Sequence, residues 1–226
     1  MRINKLLNKK NIEIALYAFI IIFILVNAFI NNDSVIAVIS AICGISYTIF
    51  AGKGRPFCYL FGITGSSFYC ILSLQSALWG NLLLYALYYV PMQILGFFRW
   101  NKNLKEGRNE IIKNKLPIKE LITLVAILIV LTIVVYYLLL HIEDKRPILD
   151  SITTVFSIGG MYLTVRRAIE QWLFWLGVNI LSLYMWLSVA LEGAKVYSTV
   201  IMWFVYTILA IYFYIEWKKD LNKQEC

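Results

Sequence analysis

Apolar residues gather along this chain in eight runs, and polar residues fall almost only between them. The runs span about 12–31, 34–51, 57–75, 79–99, 119–141, 148–165, 171–191 and 196–216. Each is close to the roughly 20 residues that a helix needs to cross the hydrocarbon of a bilayer. The links are short, apart from the basic stretch 100–118. The pattern predicts eight transmembrane helices in a single membrane domain, 1–226, with no room for a soluble catalytic domain. The opening "MRINKLLNKK" also resembles the start of a signal peptide. The apolar run after it is longer than a signal core, and "NAFINNDS" offers no small-residue cleavage site. It is therefore expected to remain as a membrane helix.

Composition strengthens this picture. The 226 residues are 61% hydrophobic and 15% charged, with a mean hydropathy of +0.73. Soluble domains are about half apolar and about a quarter charged. The formal charge of +8 could suggest a nucleic-acid partner, but its placement argues against one. Arg2, Lys5, Lys9, Lys10, Lys53, Arg55, Arg99, Lys102, Lys105, Arg108, Lys113, Lys115, Lys119, Arg166, Arg167, Lys218, Lys219 and Lys223 all fall on one side of the predicted topology. The other side holds Lys145, Arg146 and Lys195 beside the acids Asp33, Glu143, Asp144, Asp150 and Glu192. Basic loops stay cytoplasmic, so both termini are expected inside. Cys43, Cys58, Cys70 and Cys226 have no metal-ligand spacing and read as small apolar fillers.

Sliding the sequence on itself by 115 positions pairs Gly44 with Gly159, Tyr47 with Tyr162 and Gly62 with Gly177. Ser67 then meets Ser182, Tyr69 meets Tyr184, Leu72 meets Leu187 and Ser73 meets Ser188, while Thr64 meets Asn179. This suggests two three-helix repeats, 34–99 and 148–216, joined by a linker helix at 119–141 and preceded by an extra helix at 12–31. With one helix between them the repeats run parallel, a transporter architecture with the substrate near midplane.

No Asp, Glu, Lys or Arg sits in the middle of a predicted span, and the single His141 lies at a span end. There is no phosphate-binding glycine loop, buried carboxylate relay, metal cluster or nucleophile–base pair. Neither an enzyme nor a resident cofactor is expected. Uncharged polar and aromatic groups remain. Trp172, Trp175, Asn179, Ser182 and Trp186 recur along one face of the seventh run. Tyr85, Tyr89, Gln93, Gly96 and Trp100 do so in the fourth, where Pro91 should kink the helix. Thr64 and Ser67 lie in the third run between the close-packing Gly62 and Gly65 and the span end. A Trp at a span end commonly belongs to an interfacial belt, the reading expected for Trp186 and open for Trp172. Ser and Thr in spans commonly bond to their own helix. Asn179 and Gln93 stand out, because a primary amide in hydrocarbon is costly without partners.

The segment "DSITTVFSIGGMYLTVRRAIEQWLFWLGVNILSLYMWL" resembles the second repeat of the bacterial nicotinamide riboside transporters, the PnuC family. The shared features are Asp-Ser, the basic pair, Glu-Gln-Trp and the run Trp172, Trp175, Asn179. "LWGNLLLYALYYVPMQILGFFRWNK" is similar to that family's Pro-Met-Gln segment. Met161 stands where many members have Gln, and Asn81 where an acid is common.

The resemblance implies an all-α integral membrane protein with a SWEET-like core of three, one and three helices, assembled as a homotrimer in the bacterial cytoplasmic membrane. It implies facilitated uptake of nicotinamide riboside, uncoupled from ATP or ion gradients and trapped by a separate cytosolic kinase. Trp172, Trp175, Asn179 and Gln93 would then bind substrate, with Tyr85, Tyr89, Thr64, Ser67 and Ser182 as further candidates on the same faces. A thiamin transporter on the same scaffold is the alternative. A non-transporting membrane scaffold or receptor subunit is the alternative of a different class.

Overall fold

The computed structural model describes residues 2–107 and 109–224, with side chains from Asn11 to Lys223 apart from Arg108. Cys226, Arg108 and the side chains of Arg2, Lys5, Lys9 and Lys10, used in the charge reading, lie outside the described residues. The described chain is all-helical, with two isolated bridges as its only β contacts, Leu104 to Ile111 within the central loop and Asn114 of that loop to Ala168.

The helices are α1 (Arg2–Asn31), α2 (Val35–Gly52), α3 (Cys58–Gln75), α4 (Trp79–Asn101), α5 (Ile118–His141), α6 (Pro147–Val165), α7 (Gln171–Leu191) and α8 (Tyr197–Gln224). Seven are long and apolar enough to cross a membrane; α3 is not. That corrects the count of eight self-sufficient spans. The 18 residues of α3 include Thr64, Ser66, Ser67, Ser73 and Gln75, which hold its hydropathy down. Helices α1 and α8 run past the apolar stretches into their basic flanks, because Lys, Asn and Gln do not end a helix.

Six helices end alike. Asn32, Gly54, Ala77, Glu143, Arg167 and Gly193 take positive φ after α1, α2, α3, α5, α6 and α7. In each case the next N–H reaches back five residues to a helix carbonyl, as from Asp33 to Ala28 and from Asp144 to Leu139. This closes orphan carbonyls at the helix end. Only Gly54 and Gly193 take the left-handed conformation without a Cβ penalty, which is about 1–2 kcal/mol for ordinary residues.

Six helices form a closed ring through the contacts α2–α3, α3–α4, α4–α6, α6–α7, α7–α8 and α8–α2. Helix α1 lies outside on α2 and α8, and α5 lies outside on α6. From Asn11 onward α1 has Ile24 as its one buried residue among the described residues, and α5 has Leu128 and Leu139. Helix α4 thus packs on α6, and α8 on α2. Burial along α3 and α7 agrees at 16 of 18 positions when Cys58 is set against Gln171, an offset of 113. The predicted offset of 115 fails, because two extra residues turn a helix by about 200°. At 115, buried Tyr69 meets Tyr184, which is 64% exposed.

Candidate functional site

The ring surrounds a partly open cavity, to which all six of its helices contribute. Small residues make the room on one side. A Cβ on Gly44 would lie 1.9 Å from the Tyr206 hydroxyl, and one on Gly62 would lie 2.9 Å from the Tyr47 ring. The Tyr206 and Tyr47 rings fill that room, so aromatic rings line the cavity beside α2 and α3 as they do beside α4 and α7. Gly44→Ala is expected to weaken ligand binding by about tenfold through overpacking, measurable by calorimetry.

The aromatic wall depends on an irregularity in α4. Residues Leu84–Tyr89 form a π-helical turn, in which the Val90 N–H bonds to the Tyr85 carbonyl. Pro91 has no N–H to offer the turn before it, so the kink expected there takes the form of this wider turn. Tyr85 and Tyr89 both reach the cavity as a result. Tyr85 stacks on Tyr69 at 4.2 Å, meets Tyr89 edge-on at 4.5 Å, and Tyr89 meets Trp175 at 6.3 Å. Trp175 donates its indole N–H to Thr164 Oγ1 at 3.0 Å, and that hydroxyl donates to the Gly160 carbonyl at 2.8 Å.

The lining holds no Asp, Glu, His, Lys or Arg. It does hold polar atoms whose hydrogen bonding is unfilled. Gln93 Nε2 donates to Ser66 Oγ at 2.9 Å, while Gln93 Oε1, Tyr47 Oη and Trp172 Nε1 are buried without a partner among the described residues. Asn179 is buried on the lining and its amide makes no hydrogen bond among the described residues. A buried polar group left unpaired costs about 1–3 kcal/mol. A flat ligand bearing hydroxyl or amide groups would recover that cost.

Paired indoles close the end of the bundle that carries the basic loops. Trp100 donates from α4 to the Thr164 carbonyl at 3.0 Å, and Trp217 donates from α8 to the Gly52 carbonyl at 2.7 Å. Each meets an aromatic edge-on: Trp100 with Tyr59 at 5.2 Å and Trp217 with Trp172 at 5.6 Å. The central loop lies across this end. The Ile111 N–H bonds to Gly54, the Asn114 N–H to Arg167, and Lys113 sits over the Trp217 ring while pairing with Asp220.

At the opposite end Asp150 is fully buried in the first turn of α6. It accepts hydrogen bonds from the Gly80 N–H at 3.1 Å, the Asn81 amide and Thr154 Oγ1 at 3.3 Å. The sequence reading counted Asp150 with the loop acids. Its position beside Pro147 hid the fact that the ring closes over it.

The sequence model described as "Nicotinamide mononucleotide transporter" matches residues 34–219. The chain belongs to this family. The nicotinamide riboside transporter PnuC of Neisseria mucosa is 33% identical over 198 residues, covering 85% of this chain and 75% of the relative. That of Haemophilus influenzae is 29% identical over 193 residues, covering 84% and 82%. A crystal structure of the vitamin B3 transporter PnuC superposes with a TM-score of 0.84 at 32% identity, covering 94% of this chain and 92% of that one. The protein is thus a multi-pass membrane protein of a family whose relatives are named as transporters.

Within this family member, six of nine predicted site residues line the cavity: Trp172, Trp175, Asn179, Gln93, Tyr89 and Tyr85. Three do not. Thr64 and Ser67 face outward on α3 and bond to the Leu60 and Ile63 carbonyls of their own helix. Ser182 is buried but lies off the lining. Trp186 is not a belt residue, since it is wholly buried and donates to the Tyr69 hydroxyl at 2.6 Å. Sequence reading missed Tyr47, Ser66, Tyr69, Thr164 and Tyr206 as lining residues. The spacing of Trp203, Tyr206 and Ala210 on α8 was the available signal for that wall.

Proposed function

We propose that the chain is a facilitative transporter of nicotinamide riboside in a bacterial cytoplasmic membrane. The observation that carries this reading is the uncharged aromatic cavity at the centre of the ring, with its unfilled hydrogen-bonding groups. A pyridinium ring is drawn to aromatic faces by about 0.5–2 kcal/mol. Its carboxamide suits Asn179 or Gln93, and ribose hydroxyls suit Tyr47 and Trp172. The family description names the mononucleotide, but a phosphate here would be a buried charge without a cation, costing several kcal/mol. The riboside fits better.

Two parallel repeats, 34–99 and 148–216, would alternate access to this cavity, with 119–141 as linker and 12–31 as an extra helix. The matched burial of α3 and α7 and the reciprocal packing of α4 and α8 support the repeats. The basic loops set the cytoplasmic face and leave both termini inside. Uptake is uncoupled from ATP and ions, retention falls to a separate cytosolic kinase, and the protein assembles as a homotrimer.

Calorimetry on purified protein tests the site, with nicotinamide riboside, its mononucleotide, thiamin and riboflavin as ligands. The riboside is expected to bind at least about 100-fold tighter than the mononucleotide. Its affinity should stay flat from pH 5 to 8, because tyrosine, the ionisable type on the lining, titrates near pH 10 when unperturbed. Tighter binding of thiamin would move the reading to the thiamin alternative. Binding without uptake in liposomes would move it to a receptor or scaffold.

A further inference from the structure

We propose that transport by this chain is electrogenic, so that the membrane potential itself concentrates the cargo. The inference rests on the proposed cargo, a pyridinium riboside with one positive charge, and on what surrounds it. Apart from Arg99 and the α8 tail from Glu216 onward, both at the basic end, the six ring helices contain one residue of the types Asp, Glu, His, Lys and Arg, which is Asp150. Asp150 lies off the cavity lining. Its carboxylate is held by the Gly80 N–H, the Asn81 amide and Thr154, so it stays with its own donors when cargo enters.

Other charges lie at the ends of the ring: Lys113 pairs with Asp220 and Arg146 with Glu192, while Asp144 and Glu170 accept from the backbone N–H groups of Arg146 and Leu116. The lining thus offers no carboxylate, imidazole or amine to carry a proton outward in exchange for the ligand. Each cycle moves one positive charge across the membrane, with no bond made or broken and no second ion required. A potential of 100 mV, negative inside, then favours the inner pool about 50-fold, the ratio equivalent to about 2.3 kcal/mol per charge. A carrier whose lining carboxylate carried a proton out in exchange for each cation brought in would move no net charge.

The test uses the full chain in liposomes with a potassium gradient and valinomycin, following labelled nicotinamide riboside to steady state. At zero potential the inside-to-outside ratio should reach one. At 100 mV, negative inside, it should approach about 50, and reversing the potential should invert it. Asp150→Asn, if recovered folded, is expected to keep the same dependence. A ratio that stays at one at every potential while flux persists overturns the proposal, as does a dependence that Asp150→Asn abolishes. No riboside flux at any potential instead overturns the proposed function.

Discussion

Asp150→Ala is expected to be the most destabilising single substitution outside the cavity, lowering stability by about 3–5 kcal/mol. The carboxylate is fully buried and accepts from three donors on two helices, so alanine strands the Gly80 N–H, the Asn81 amide and the Thr154 hydroxyl together. Because Gly80 and Asn81 begin α4 and Asp150 begins α6, the loss falls on the contact between the two halves of the ring. Thermal unfolding in detergent should show a midpoint lower by about 10 °C. Asp150→Asn keeps the shape and one acceptor and should lose about half as much. A midpoint for the alanine variant within a degree of the parent would show that these hydrogen bonds do not hold the seam.

The second large effect concerns the wall of the cavity. Trp175→Ala is expected to weaken riboside binding by about 100-fold, and Asn179→Ala by about tenfold, with folded yield unchanged in both. Trp175 is half-buried because one side of its ring meets the cavity, so truncation enlarges existing space more than it opens new space. Trp172 would be a poorer probe, since it also packs on Phe213 at 5.3 Å and on Trp217. Calorimetric titration of the two variants decides the matter. Unchanged affinity in both reduces the Trp and Asn stripe to helix packing.

Helix number and order were legible because twenty apolar residues in a row admit few alternatives in a bilayer. Helix ends were less so. Three of the six left-handed turns use Ala, Glu or Arg, residues that carry no turn signal of their own. The site was legible where a residue type is expensive in hydrocarbon unless it has work to do, as with Asn179 and Gln93. Thr64 and Ser67 misled because a hydroxyl can satisfy itself on the preceding turn, which lets it face outward at little cost. The internal match at 115 misled for a related reason: Gly, Ser and Tyr recur so often in such spans that chance identities outweighed the match in burial two residues away. Lining residues such as Tyr47 and Tyr206 were hidden because membrane helices carry many tyrosines, and only the closed ring distinguishes those that face its axis.

The π turn of α4 leaves that helix with a surplus. A turn closed over five residues holds one more residue than an α turn of similar rise, so α4 carries one residue more than a regular helix between the same ends. Tyr85 and Gln93, two α turns and a remainder apart in an ordinary helix, would drift off a common face by about 80°. The surplus residue removes much of that drift, bringing both, with Tyr89, to one cavity. The wall with the densest run of tyrosines is therefore a product of chain length as much as of side-chain choice, and a homologue could gain or lose it by a single codon.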